Sequence, residues 1–166
     1  MQTNAENRLR LEESPEQVIR FYSDMVYRLA FARTGTRHDA DDVYEDVFLR
    51  YLKKKPKFQS EEHRRAWFVR VTINCSNTFL TSVWQRRTQE LPEDLPFQQQ
   101  EDYRLYSYLQ QLSAKYRSVI HLFYYEEMSV EEISKILHRK PSTVRTQLTR
   151  AREQLRQILK EEDYDF

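Results

Sequence analysis

A single glycine, Gly35, serves a chain of 166 residues, with five prolines beside it. No other feature constrains the fold as much. Tight hairpins, sheet turns and phosphate-cradling loops consume glycine, because only glycine takes a positive φ at no steric cost. A chain that almost dispenses with it must be built from long helices and short connections. Gly-rich nucleotide loops are excluded on the same ground.

Apolar spacing agrees. From Pro15 onward, Val18, Phe21, Tyr22, Met25, Val26, Leu29 and Ala32 recur at helical intervals, and proline suits a first helical turn. Gly35 can close that helix in the left-handed conformation. Asp39 is the expected N-cap of a second helix, with Val43, Tyr44, Val47, Phe48, Tyr51 and Leu52 along one side. Lys53 to Lys55 complement its C-terminal dipole and Pro56 stops it. A loop around Phe58 leads to a third helix, expected from Glu61 to Arg86, that carries Trp67, Phe68, Val71, Ile73, Phe79, Leu80, Val83 and Trp84.

The stretch TQELPEDLPFQQQED then changes character, with prolines, acids and glutamines that mark a linker. Beyond it, Leu112, Tyr116, Val119, Ile120 and Phe123 fit one amphipathic helix. Ser129 and Glu132 form a capping box that opens a short helix with Val130, Ile133, Ile136 and Leu137. After the turn His138 to Pro141, Ser142 is the expected cap of a last helix bearing Val144, Leu148, Ala151, Leu155, Ile158 and Leu159. The expected fold is all-α, with two small helical domains joined by a linker and a helix-turn-helix in the second. The boundaries are a leader 1–14, a first domain 15–87, a linker 88–104, a second domain 105–160 and an acidic tail 161–166.

Composition narrows the class. With 39% hydrophobic and 32% charged residues, eleven Tyr and nine Phe, the chain is a soluble globular protein rather than a disordered one. Cys75 is the only cysteine, so no intrachain disulfide or cysteine-based zinc site can form, as suits a reducing compartment. The first twenty residues lack the apolar core of a signal peptide, and no run reaches the length of a membrane span. A cytoplasmic location without membrane insertion is therefore expected.

The net charge of +1 hides a segregation by segment. Arg50, Lys53, Lys54, Lys55 and Lys57 crowd one stretch; residues 63–88 carry five arginines and no acid; residues 139–160 carry seven cations against Glu153. Acid gathers at Asp39, Asp41, Asp42, Glu45 and Asp46. Such blocks fit several partner surfaces of different sign, or simply solvated helix faces.

The last helix carries the chemistry. At about 100° per residue, Val144, Leu148, Ala151 and Leu155 form one stripe, and Ser142, Thr146, Thr149, Arg150 and Glu153 lie opposite, flanked by Arg145 and Arg156. Arginine reads guanine bidentately, and threonine can bond a base or touch a thymine methyl. That face suits the major groove of DNA; the plainer alternative is a helical hairpin with an Arg-rich solvent face. The four histidines are scattered without triad or zinc spacing. Asp41, Asp42, Glu45 and Asp46 lack a calcium-loop glycine and a histidine at ligand spacing, so no metal is expected. No cofactor, no small-molecule substrate and no catalysis are expected either. Cys75, in an apolar stretch, fits a buried small hydrophobe.

Residues 112–159, with Glu132-Ile133, Thr143-Val144, Arg150-Ala151-Arg152 and Leu155-Arg156, resemble region 4 of bacterial RNA polymerase sigma factors. Independently, DADDVYEDVFLRYL (39–52) and RRAWFVRVTIN (64–74) resemble sigma region 2. Two such motifs in this order, joined by a short linker, resemble the extracytoplasmic-function (ECF) type of the sigma-70 family. The departures are His138 and Ser142 where the turn usually carries glycine, Glu45 for glutamine, Ser134 for alanine, and a divergent Cys75–Phe79.

The resemblance implies a set of partners and residues. Asp39, Asp42, Asp46, Phe48 and Leu49 would dock on the β′ clamp coiled coil of core RNA polymerase, and the β flap is a further polymerase contact. An acidic stripe near an aromatic suits a basic partner. Lys57, Phe58, Gln59, Ser60, Arg64, Arg70 and Asn74 would engage the -10 promoter element, which region 2 melts. An aromatic among cations is what a flipped or single-stranded base requires. Trp67, at helical spacing from Val71, fits core better than base contact. Arg64, Arg65, Arg86 and Arg87 would bind phosphates. Ser142, Thr143, Arg145, Thr146, Thr149 and Arg150 would read the -35 element. An anti-sigma factor is a usual partner in the family. The implied function is promoter selection for RNA polymerase; the alternatives are a free-standing helix-turn-helix regulator on operator DNA, and a sigma-shaped interaction protein.

Overall fold

A computed structural model of the chain describes residues 13–84 and 108–163. Most of the leader, the 88–104 linker, Arg86, Arg87 and the end of the acidic tail lie outside the described residues, as do the side chains at 80–84. Within them every regular element is helical. First come α1 (Pro15–Thr34), α2 (Arg37–Lys54) and α3 (Glu61–Trp84). Then follow α4 (Ala114–Ile120), a π-helical turn (His121–Tyr125), α5 (Val130–Leu137) and α6 (Pro141–Asp163). The chain divides into two compact helical units, and residues 31–37 fall with the second.

In the first unit Val18, Val26 and Leu29 of α1, Val43 and Val47 of α2, and Phe68 and Val69 of α3 are buried. Each contributes about 2 kcal/mol by leaving water. Phe68 is the hub. Tyr22 stacks on it at 4.5 Å, and Tyr51 and Phe48 lie 5.3 and 5.8 Å from it. Thr72 and Ser76, buried on α3, satisfy their hydroxyls on the carbonyls of Phe68 and Thr72, at 2.6 and 2.7 Å. Cys75 is buried between them in sequence.

Gly35 closes α1 at φ 86°, its N–H donating to the Phe31 carbonyl at 2.9 Å. Lys55 ends α2 in the same left-handed region, at φ 46°. The start of α2 differs from expectation. The helix begins at Arg37, so Asp39 is not its cap but a buried member of its first turn. Its charge still complements the helix dipole there. Ser60 caps α3, its hydroxyl accepting from the His63 N–H at 3.0 Å.

The second unit buries Val119, Ile120, Leu122, Met128, Ile133, Ile136, Val144, Leu148 and Ala151. Ser129 caps α5, its hydroxyl accepting from the Glu132 N–H at 3.1 Å as the capping box requires. Leu112 to Phe123 do not form one α-helix. The helix starts at Ala114 and widens at His121, where the Glu126 N–H reaches the His121 carbonyl at 3.2 Å. A buried contact of 3.2 Å between His121 Nε2 and Glu126 Oε1 favours that wider turn.

His138 ends α5 in the left-handed conformation, φ 52° and ψ 47°, where glycine is the usual choice. Ser142 is not the cap of α6. Pro141 occupies the first helical position, its missing N–H costing nothing there, and the Lys140 carbonyl accepts from Val144 at 3.1 Å. In this unit Arg33 is 4% exposed and donates to the Ser118 hydroxyl. Burial, then the neighbouring Arg117 and Arg139 guanidiniums, lower its pKa to about 10, so it stays charged at neutral pH.

Candidate nucleic-acid interface

α6 turns its two faces as the 3.6-residue period demands. Val144, Leu148 and Ala151 are buried against the unit, while Ser142, Thr143, Arg145, Thr146, Thr149 and Arg150 are all exposed. Thr146 and Thr149 donate their hydroxyls back to the carbonyls of Ser142 and Arg145, at 2.9 and 3.0 Å. Their oxygens therefore offer lone pairs, and their methyls apolar contact, to anything outside. Ser142, Thr143, Thr146, Gln147 and Arg150 line a cleft of about 340 Å³ whose far wall is Lys115 and Tyr116. Gln147 was missed from the sequence, and so was Lys115. A lone glutamine in a helix is an ordinary solvent residue, and α4 lies about thirty positions upstream.

Arg152 belongs elsewhere. Its Nε donates to the Tyr124 hydroxyl at 2.7 Å, and its guanidinium covers the rings of Phe123 and Tyr124. Beside it runs an apolar groove of about 620 Å³, lined by Leu109, Ile120, Tyr125, Leu155 and Leu159 and edged by Arg156 and Lys160.

The first unit presents a second surface at the loop 55–60. Lys57 and Gln59 are exposed there, and Phe58 is half-buried. Phe58 meets His63 and Trp67 edge-on at 5.5 and 5.9 Å. Trp67 is half-buried too, edge-on to Tyr51 at 6.0 Å and to Phe68 at 5.0 Å. It is neither sealed in the core nor free of it. Ser60 spends its hydroxyl on the cap of α3, and the Gln59 N–H donates to His63 Nδ1 at 3.2 Å. Arg70 is half-buried and Asn74 exposed, one turn apart on the same helix.

Arg64 is the main correction on this face. It is 1% exposed and cannot reach a phosphate from there. The Glu61 carboxylate lies 2.6 Å from Nη2, Glu13 lies 3.8 Å away, and the Tyr22 ring sits 5.4 Å from the guanidinium carbon. Tyr22 donates its hydroxyl to Glu61, and burial, foremost, pushes its pKa up. A basic run in sequence thus hides one arginine whose partners come from the leader, α1 and α3.

On α2 the expected docking stripe splits. Asp42, Asp46 and Leu49 are exposed, with Leu49 half-open to solvent at 51%. Asp39 and Phe48 are buried and are not surface contacts. Phe48 packs against Tyr44 at 4.7 Å and Phe68 at 5.8 Å, because it continues the stripe of Val43 and Val47. His38, Asp39 and Asp42 bring ligand atoms within 4.8 Å of one another, a grouping that Asp41, Glu45 and Asp46 do not join.

Residues 18–86 match the family model for sigma-70 region 2, and residues 103–155 match that for sigma-70, region 4. The chain belongs to the sigma-70 family. Among relatives of its ECF type, SigE of Mycolicibacterium smegmatis is 34% identical over 160 residues, spanning 87% of this chain and 61% of that protein. This sigma-70 chain thus covers about three fifths of that relative. It covers more of SigW of Bacillus subtilis, which is 26% identical over 87% of this chain and 88% of its own length. Among solved structures, the fold is shared with the sigma factor RpoE bound to the anti-sigma factor NepR from Bartonella quintana. That match has a TM-score of 0.72 at 21% identity, covering 87% of this chain and 96% of that one. CnrH, solved with the cytosolic domain of CnrY, has a TM-score of 0.69 at 23% identity, covering 89% and 88%.

Proposed function

We propose that this sigma-70 chain binds core RNA polymerase and directs it to promoters, with no catalysis of its own. In this reading α6 lies in the major groove of the -35 element. The loop at Lys57, Phe58, Gln59 and Ser60, with Arg70 and Asn74, holds the -10 element as it melts. Arg64 supports that surface from beneath rather than touching DNA. The observation that carries the reading is the presence, in one chain, of both region 2 and region 4, each with its own open face.

Charge and shape favour polymerase as the partner. Asp42, Asp46 and the exposed Leu49 follow one another at helical spacing, two acids leading into an apolar contact, which suits the basic β′ clamp coiled coil. The apolar groove beside Tyr124 and Leu159 has the character that a helix of the β flap needs. An anti-sigma factor is a further partner, as RpoE and CnrH were each solved in complexes. The site of action is the cytoplasm. Among the described residues no helix is long and apolar enough to cross a membrane.

Size-exclusion chromatography with bacterial core RNA polymerase tests this. The expected result is stoichiometric co-elution, and open-complex formation on promoter DNA only when both are present. Tight binding of duplex DNA by the chain alone, without co-elution, would replace it with the free-standing regulator.

A further inference from the structure

We propose that Arg139 decides which base Gln147 can read, by occupying the oxygen of its side-chain amide. The inference rests on α6 entering the major groove. Arg139 sits in the turn before α6, and its Nη1 donates to Gln147 Oε1 at 2.8 Å. A guanidinium has donors only, so the oxygen must be the end that faces it, and the orientation of the amide is fixed by chemistry. Arg139 is itself anchored. Its N–H donates to the Ser134 carbonyl at 3.0 Å, and the Ser134 hydroxyl donates to the Arg139 carbonyl. Ser134, one of the departures from the family pattern, thereby ties the turn that carries the arginine.

Gln147 is half-buried and lines the cleft with Thr143, Thr146 and Arg150. A glutamine reads adenine by accepting from N6 and donating to N7 at once. Here a lone pair of Oε1 is taken, and the approaching N6 amine meets the donors of a guanidinium. The Nε2 amine remains, and it seeks an acceptor. Guanine offers O6 and N7 in the major groove, and thymine offers O4; adenine offers N7 as well, but beside the N6 amine that the guanidinium donors oppose. Gln147 therefore selects guanine or thymine at one position of the upstream element and disfavours adenine and cytosine. Arg139 acts as a positioning residue: it need not touch DNA to change the sequence read.

The test uses the full-length chain with core RNA polymerase on a pool of linear promoters randomised across the upstream element, sequenced after selection for open complexes. The wild type is expected to prefer guanine or thymine at one position by about tenfold. Gln147→Ala should flatten that position and leave the others as they were. Arg139→Ala should admit adenine at the same position. A purely structural role for Arg139 would lower output evenly across sequences. The inference is overturned if Gln147→Ala alters no single position, or if Arg139→Ala leaves adenine excluded. A parallel Arg150→Ala arm says why: if it too changes no position, α6 does not read DNA at all, and the fault lies in the underlying reading.

Discussion

The Arg64 guanidinium and the Glu61 carboxylate, one helical turn apart and 2.6 Å from each other, form an ion pair whose arginine is almost sealed from water. Removing one partner of a buried pair leaves the other charged and unsatisfied, which costs more than the pair contributes. Arg64→Ala should destabilise the first unit by about 3 kcal/mol, read as a lower thermal midpoint. The salt dependence of promoter binding at temperatures where the variant is folded should stay unchanged, since no phosphate contact is lost. A smaller salt slope with unaltered melting would put Arg64 back on the DNA.

Charge reversal on α2 separates docking from folding. Asp42→Lys with Asp46→Lys should abolish co-elution with core polymerase while the circular dichroism spectrum keeps its helical minima. Both side chains are exposed, so neither change disturbs the core. Retained co-elution would remove the docking face from α2.

His138 holds φ 52° in the turn before α6. Left-handed geometry costs a residue with a Cβ about 1 kcal/mol. His138→Gly should relieve most of that, with a gain in stability of about 0.5–1 kcal/mol and a melting point a few degrees higher. An unchanged or lower melting point would mean that the imidazole contributes contacts worth more than the strain.

Cys75 carries a sign that can be checked with pH. Burial, more than its charged neighbours, raises its thiol above the ordinary value of 9.0. The folded state thus holds the proton that the unfolded state has begun to release. The contribution of this group is fully present below the unfolded value and is lost as pH rises through the folded one. At mildly alkaline pH, native protein should react with a thiol reagent far more slowly than denatured protein. Cys75→Ala should blunt the alkaline loss of stability. Equal rates for native and denatured protein would contradict the burial.

The helices themselves were legible, because Val43 with Val47 and Val144 with Leu148 and Ala151 repeat at intervals that only a helix turns to one side. The α6 face followed from the same period, and each expected residue on it is exposed. What could not be read was which charged or aromatic side chain a neighbouring helix would cover. Arg64 looks like its exposed neighbour in a basic run until Glu13, Glu61 and Tyr22 surround it. Phe48 stands beside Leu49 in sequence, yet 100° of helical rotation separates a core ring from a surface leucine. The widening at His121 depends on a buried partner five residues on, and the pairing of Arg139 with Gln147 spans a turn and two helical rotations. Contacts of that kind belong to the assembled structure rather than to any local pattern.

Trp67 touches Phe58 edge-on at 5.9 Å, with the ring of Phe58 only half covered. Indole emission responds to the polarity and packing around it. The chain therefore carries its own optical gauge: any event that lifts Phe58 from its ledge alters a tryptophan signal without a label. With Trp84 replaced by phenylalanine, stopped-flow fluorescence can time that movement directly, on the unmodified loop of the free chain or with oligonucleotide ligands.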